Sequence, residues 1–110
     1  RLDPALALGL AALAIDPSDT FGHRFTIAHG PLAGGPADAW LRVQNGGPLA
    51  VVRTSPGEQP ALTIRSTRGA LLPLVAGVEP PPGEVAVLDG DAEALALVRS
   101  WIVRTEFPNG

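Results

Sequence analysis

Residues 5–15, ALALGLAALAI, form an apolar run without a single polar side chain. Asp3 precedes the run and Pro4 opens it, which predicts a helix that has Asp3 as its N-cap and ends before Pro17. The run is too short to cross a bilayer, which needs about 20 residues, and Asp-Pro is unusual in the basic leader of a secretory signal. We therefore expect a buried structural helix that the rest of the chain covers on most sides.

The composition is that of one globular domain. The chain has 110 residues, of which 45% are hydrophobic and 17% charged, and this length supports a single core. The net charge is -3, so there is no electrostatic reason to expect nucleic acid or a membrane as partner. Cysteine is absent, which excludes disulfides and thiolate nucleophiles and fits a cytoplasmic protein.

Alternating side chains predict strands in the middle of the chain. In the first of them, Phe21, Phe25 and Ile27 share one face with His23. Asn45-Gly46 favours a tight hairpin turn between the second and third, because both residues tolerate positive φ. The four predicted strands are residues 21–27, 39–44, 49–54 and 61–67.

The last third of the chain predicts a helix, a strand and a second helix. Residues 68–77 form a short helix that Gly77 closes and that Pro73 bends or shortens. Residues 84–88 form a strand, and residues 92–103 form a helix with one apolar face. The predicted fold is α+β, with an antiparallel or mixed sheet of about five strands that helices cover mainly on one face.

The densest group of acids, Asp89, Asp91 and Glu93 around Gly90, has a spacing that can hold a cation. An EF-hand loop needs Gly at its sixth position and Glu at its twelfth, and neither is found counting from Asp89. A strand–helix joint explains the group better, since Gly90 supplies the turn, Asp91 the cap and Glu93 a charge that the helix dipole favours.

The other polar motifs predict no catalytic residue, no metal and no cofactor. His23 is expected in the core or a pocket wall, and His29 is expected to be exposed at a strand end. Neither has metal-ligand spacing, and no serine has a Gly-x-Ser-x-Gly setting. The glycine-rich stretches at residues 30–36 and 45–48 lack phosphate-loop spacing and are interpreted as hairpin loops.

Three stretches resemble the sterol carrier protein domain, a fold that binds sterols and fatty acyl ligands. AWLRVQNGGPLAVV is similar to its tryptophan-bearing hairpin, and PALTIRSTRGALLPLVAG to its strand and ALLxLLxG helix. GEVAVLDGDAEALALV resembles its Gly-Asp strand end and capped terminal helix. The opening RLDPALALGL resembles the start of the C-terminal domain in bacterial winged-helix regulators of the HxlR type. The absence of methionine, including at position 1, fits a domain of such a protein. We therefore expect a domain cut from a longer protein, without its DNA-binding half.

The resemblance implies a non-enzymatic domain that binds a small apolar, lipid or acyl-like ligand and acts as the sensor of a bacterial regulator. The ligand would lie between sheet and helices, although the same aromatic residues could equally be ordinary core packing. Alternatives are a structural or homodimerisation module with a filled core, and a hydrolase or metal-dependent activity that uses Asp89, Asp91 and His23. The expected pocket-lining residues are Phe25, Trp40, Leu72, Val75, Leu97 and Trp101.

Overall fold

A computed structural model describes residues 3–106, with side chains to residue 102. The elements follow the predicted order of helix, strands, helix, strand and helix. They are α1 (Pro4–Leu13), a 3-10 helix (Pro17–Thr20), β1 (Arg24–Pro31), β2 (Ala39–Gln44), β3 (Ala50–Val52), β4 (Leu62–Ser66), α2 (Leu71–Ala76), β5 (Ala86–Gly90) and α3 (Ala92–Glu106).

The sheet is mixed and has five strands in the order β3-β2-β1-β4-β5, which confirms the predicted fold class. β2 and β3 pair as the expected hairpin, and its turn holds Asn45 at φ 51° and Gly46 at φ 85°. A simple meander would have placed β4 next to β3. Instead β4 lies parallel to β1, so the chain crosses back to the centre of the sheet after the hairpin.

β1 begins three residues later than its alternation predicts, and Phe21, expected to face inward, is 78% exposed. The 3-10 helix is the reason, because it and the following turn occupy this part of the chain. Thr20 accepts a hydrogen bond from the Gly46 N–H at 2.8 Å, and the Gly22 N–H donates to Asn45 Oδ1. These bonds tie the entry to β1 to the hairpin turn.

The start of α1 confirms the predicted cap, since Asp3 Oδ1 accepts a hydrogen bond from the Leu6 N–H at 2.8 Å. The expectation of cover on most sides is wrong. One side of α1 packs on α2, β2 and β3, and the opposite side leaves Leu6, Leu10 and Leu13 exposed by 53%, 47% and 83%. Helix α3 packs on α2 and the sheet, so it does not cover that side of α1.

Local chemistry sets both ends of α2 and the start of α3. α2 begins only at Leu71, so Pro73 falls in the first turn, where a missing N–H removes no helical bond. Gly77 closes it at φ 80°. Asp91 Oδ1 accepts a hydrogen bond from the Glu93 N–H at 2.9 Å, which confirms the strand–helix joint.

The core lies between the helices and one face of the sheet. Ile27, Leu41 and Ile64 from the central strands meet Leu8 of α1 and Val98 of α3 there. No helix within residues 3–106 is long and apolar enough to span a membrane.

Candidate functional site

Five of the six expected pocket residues lie in or against the core, and one of these five, Leu72, also lines open space. Val75 and Trp101 are buried at 2% and 3% exposure, and Leu97 packs against the core from α3. Phe25 stacks on Trp101, with ring centroids 6.2 Å apart and planes at 24°. These four side chains therefore pack against other side chains of the protein, and none of them lines any of three grooves on its surface.

Trp40 lies apart from this group. Its neighbours in β2, Ala39 and Leu41, belong to the core under the helices. Side chains alternate along a strand, so Trp40 points to the opposite face of the sheet, where it is buried at 8% exposure. Trp40 and Trp101 are thus separated by the sheet.

Leu72 of α2 is the expected pocket residue that does line open space. It lies in the wall of a groove of about 350 Å³ between α1, α2 and α3, which we call the α1–α2 groove. It also lines a groove of about 540 Å³ at the turn between β4 and α2, where Arg68 and Glu84 supply charge. The lining of the α1–α2 groove is Leu10, Ala11, Ala14, Leu72, Ala76 and Ile102.

A third groove, of about 440 Å³, runs between α1 and strand β3, beside the exposed leucines of α1, and we call it the α1–β3 groove. Gly9 lies in its wall, and a Cβ built on Gly9 would meet no atom within 4 Å. Among the described side chains that line it, none is polar. The residues that line it are Ala5, Leu6, Gly9, Leu10, Ala12, Leu13, Leu49 and Val51.

A charged pair lies at the start of α1, where the Arg53 Nη2 is 3.3 Å from Asp3 Oδ2. The hydrogen bond from the Leu6 N–H, assisted by Arg53, lowers the pKa of Asp3 below its ordinary value. The body of the groove is apolar, so its chemistry is limited to taking up an apolar group.

His29 carries a polar arrangement that the sequence did not predict. Its Nδ1 lies 2.7 Å from Asp38 Oδ1 and its Nε2 lies 2.9 Å from Ser66 Oγ. The expectation that His29 is exposed is wrong, because β1 continues to Pro31 and places the imidazole inside the domain at 3% exposure. Spacing could not reveal the group, since only the parallel pairing of β1 with β4 brings Ser66 beside His29.

The order Ser66, His29, Asp38 is that of a nucleophile, its base and the acid that orients the base. Here, however, the hydroxyl end is the buried one. Ser66 is 5% exposed, whereas the side chain of Asp38 is 46% exposed. A substrate that reaches this row of three side chains from solvent meets the carboxylate first. The geometry therefore fits a structural role, in which buried polar atoms hydrogen-bond to each other, better than a catalytic one.

The two acids and the histidine named by the metal-dependent alternative do not form one site. Asp91 caps α3, Asp89 is exposed on β5, and His23 lies against Trp101 with ring centroids 5.6 Å apart. Among the residues that the structure describes, no group of three His, Asp or Glu side chains could hold a metal ion.

Comparison with known proteins gives a likeness of fold. No protein-family model matches the chain, and no curated protein matches it. Solved structures of the stereoselective inverting sec-alkylsulfatase Pisa1 from Pseudomonas sp. and of its double mutant are similar, with TM-scores of 0.70 and 0.69 and 23% identity. Each match covers 91% of this chain but only 16% of the enzyme's, so it shows the shared fold alone.

Proposed function

We propose that the domain binds a small apolar ligand of the lipid, acyl or alkyl type in the α1–β3 groove. The observation that carries this proposal is a groove whose lining, within the described residues, consists of Ala, Leu, Val and Gly, with Leu6 and Leu13 exposed along it. An alkyl chain laid there would remove these leucines from water, at about 25 cal/mol for each Å² of apolar surface buried.

The size of the groove favours a single chain. Ligand sites in proteins range over about 300–1,000 Å³, and the α1–β3 groove, at about 440 Å³, lies in the lower half of that range. It is an open furrow along a ten-residue helix, which suits a flexible chain lying parallel to the helix axis.

Two likenesses support this ligand class. The sterol carrier protein family, which the sequence resembles, binds sterols and fatty acyl groups. The solved structures with the similar fold belong to an enzyme named for secondary alkyl sulfates. From each we take only the apolar nature of the ligand; the role as a sensor in a cytoplasmic bacterial regulator stays a prediction.

Filling the groove from its own wall tests the proposal. Gly9→Leu should place a side chain into open space and weaken binding of decanol by about tenfold or more, while Gly9→Ala should weaken it less. Methyl NMR during a decanol titration should show shifts at Leu6, Leu10 and Leu49. Leu32→Ser, a change at an exposed leucine outside the groove, is the matched control and should leave binding unchanged.

Two results would contradict this assignment. Shifts confined to Val75 and Leu97 would place the ligand between sheet and helices, as the sequence predicted. The absence of any saturable shift with decanol would contradict the proposed binding of an apolar ligand.

Dimerisation is a second candidate, because Leu6, Leu10 and Leu13 could equally be covered by another copy of the chain. Trp101 is already buried at 3% exposure within one copy, so it offers no surface to a second copy. The alternative therefore rests on the α1 leucines alone. Light scattering separates the two candidates, since a dimer through α1 should dissociate in Leu10→Gln, whereas a monomer should show no change in mass.

A further inference from the structure

Within residues 3–106, strand β5 closes one end of the sheet and pairs with β4 alone. It has five residues, against three in β3 at the opposite edge. Unlike the central strands, it is open to solvent on both faces as well as along its edge. Val85, Val87 and Leu88 are exposed by 49%, 55% and 39%.

The hydrogen bonds to β4 fix which backbone groups of β5 remain free. The Thr67 N–H donates to the carbonyl of Val85, and the Asp91 N–H donates to the carbonyl of Ala61. In an antiparallel pair such bonds recur at every second residue, so residues 85, 87, 89 and 91 point toward β4. Ala86, Leu88 and Gly90 consequently direct their N–H and C=O groups to the open edge.

Exposed edges of this kind usually carry protection, such as Lys, Pro, a bulge or very short length. β5 contains neither a basic residue nor a proline, and its residues pair with β4 in unbroken register. Its one charged residue is Asp89, so the open edge is acidic as well as apolar. A strand edge of this kind is a template for strand addition, in which an extended peptide continues the sheet.

Charge indicates which peptide fits. Residues 84–93 hold Glu84, Asp89, Asp91 and Glu93 and no basic residue. Arg65, which faces Val87 across the ladder, is tied to the carbonyls of Pro31 and Gly35 at 3.2 and 3.0 Å. The acids would repel each other if two copies paired through β5, whereas they attract a partner that carries Lys or Arg.

We propose that β5 is a docking edge for an extended segment of a partner protein in which apolar and basic residues alternate. The segment pairs its backbone with Ala86, Leu88 and Gly90, covers Val87, and sets its basic side chains near the acids of residues 84–93. This surface is separate from the α1–β3 groove, so binding of an apolar ligand and of the segment can be measured independently.

The test uses a labelled peptide of alternating Val and Lys and fluorescence anisotropy with the full chain. We expect saturable binding that rising salt weakens, and no binding of a Val–Glu peptide or of a Val–Lys peptide with alternate N-methyl groups. Ala86→Pro removes an outward N–H without breaking the bonds to β4, and should reduce affinity by about tenfold or more.

Val87→Lys should reduce affinity similarly, because the new lysine at this exposed position repels the basic side chains of the peptide. Val78→Lys is its matched control, since Val78 is 62% exposed and lies outside β5, and it should bind as the parent does. Because both lysine variants alter exposed residues, they keep the test decisive if Ala86→Pro fails to fold.

Equal binding of the Val–Glu peptide would overturn the proposal, as would unchanged binding to both Ala86→Pro and Val87→Lys. If the protein self-associates and Val87→Lys abolishes this, the occupant of the β5 edge is a second copy of the chain, and the proposed partner segment is wrong.

Discussion

At the scale of single residues, Gly90 shows how a position that attracted attention for its acidic neighbours is fixed by backbone geometry. Its φ is 123°, and a Cβ there would lie 2.6 Å from the carbonyl oxygen of Ala61. Gly90→Ala should therefore lower the free energy of unfolding by about 2 kcal/mol or more, from combined strain and overlap.

Urea denaturation measures this change, and Gly83 provides the control. Gly83 has φ 87° but open space around its would-be Cβ, so Gly83→Ala should cost about 1 kcal/mol from strain alone. Equal effects of the two substitutions would contradict the overlap at Gly90.

The buried link between His29 and Ser66 leads to a second residue-scale prediction. Ser66→Ala leaves the buried Nε2 of His29 without its partner, which should lower the free energy of unfolding by about 1–3 kcal/mol. A double-mutant cycle with His29→Ala should return a coupling of about 0.5–3 kcal/mol. Ser55→Ala, at an exposed turn, is the control and should change stability little.

A catalytic role for this serine makes the opposite prediction. Ser66→Ala would then leave stability nearly unchanged and abolish labelling by a fluorophosphonate, which the wild-type chain would have to show.

At the scale of elements, the cap of α1 connects helix stability to pH. The Leu6 N–H lowers the pKa of Asp3 below its ordinary value of 3.8. Because the pKa is lowered in the folded state, ionised Asp3 stabilises α1 at pH values above its ordinary pKa. This stabilisation is lost as the pH falls through the pKa of the folded state.

The expected result is that Asp3→Ala melts at a lower temperature than the wild type at neutral pH. The difference should shrink in acid, because protonation weakens the same cap in the wild type. Circular dichroism melts at several pH values check this, and a difference that grows as pH falls would contradict the sign.

The elements also show what the sequence could predict. The order of helices and strands, the turn at Asn45, and the caps at Asp3 and Asp91 were predicted because each depends on residues within a few positions of one another. Phe21 was placed wrongly because the 3-10 helix before it is held by the distant Gly46 N–H. The alternation of apolar and polar side chains along residues 21–27 does not indicate a hydrogen bond to a residue so distant in the sequence.

At the scale of the whole molecule, the parallel pairing of β1 with β4 is the step that sequence patterns did not supply. It depends on contacts between segments that lie far apart in the chain, such as Ile27 beside Leu62. It brings Ser66 to His29. The helices then pack on one face of the sheet, and the apolar groove lies between α1 and β3.

The last prediction concerns the assembly in solution. One copy has a Cα radius of gyration of 13.0 Å, close to the value of about 13 Å expected for a compact chain of this length. We expect X-ray scattering to give a single-copy mass and a radius slightly larger than this, because solvation adds a shell. Adding decanol or the Val–Lys peptide should leave one copy of the protein per particle, because the two proposals have the ligand cover the α1–β3 groove and the peptide cover the β5 edge, and neither involves a second copy. A double mass that persists on dilution would contradict this, and Leu10→Gln and Val87→Lys would then show whether α1 or β5 forms the contact.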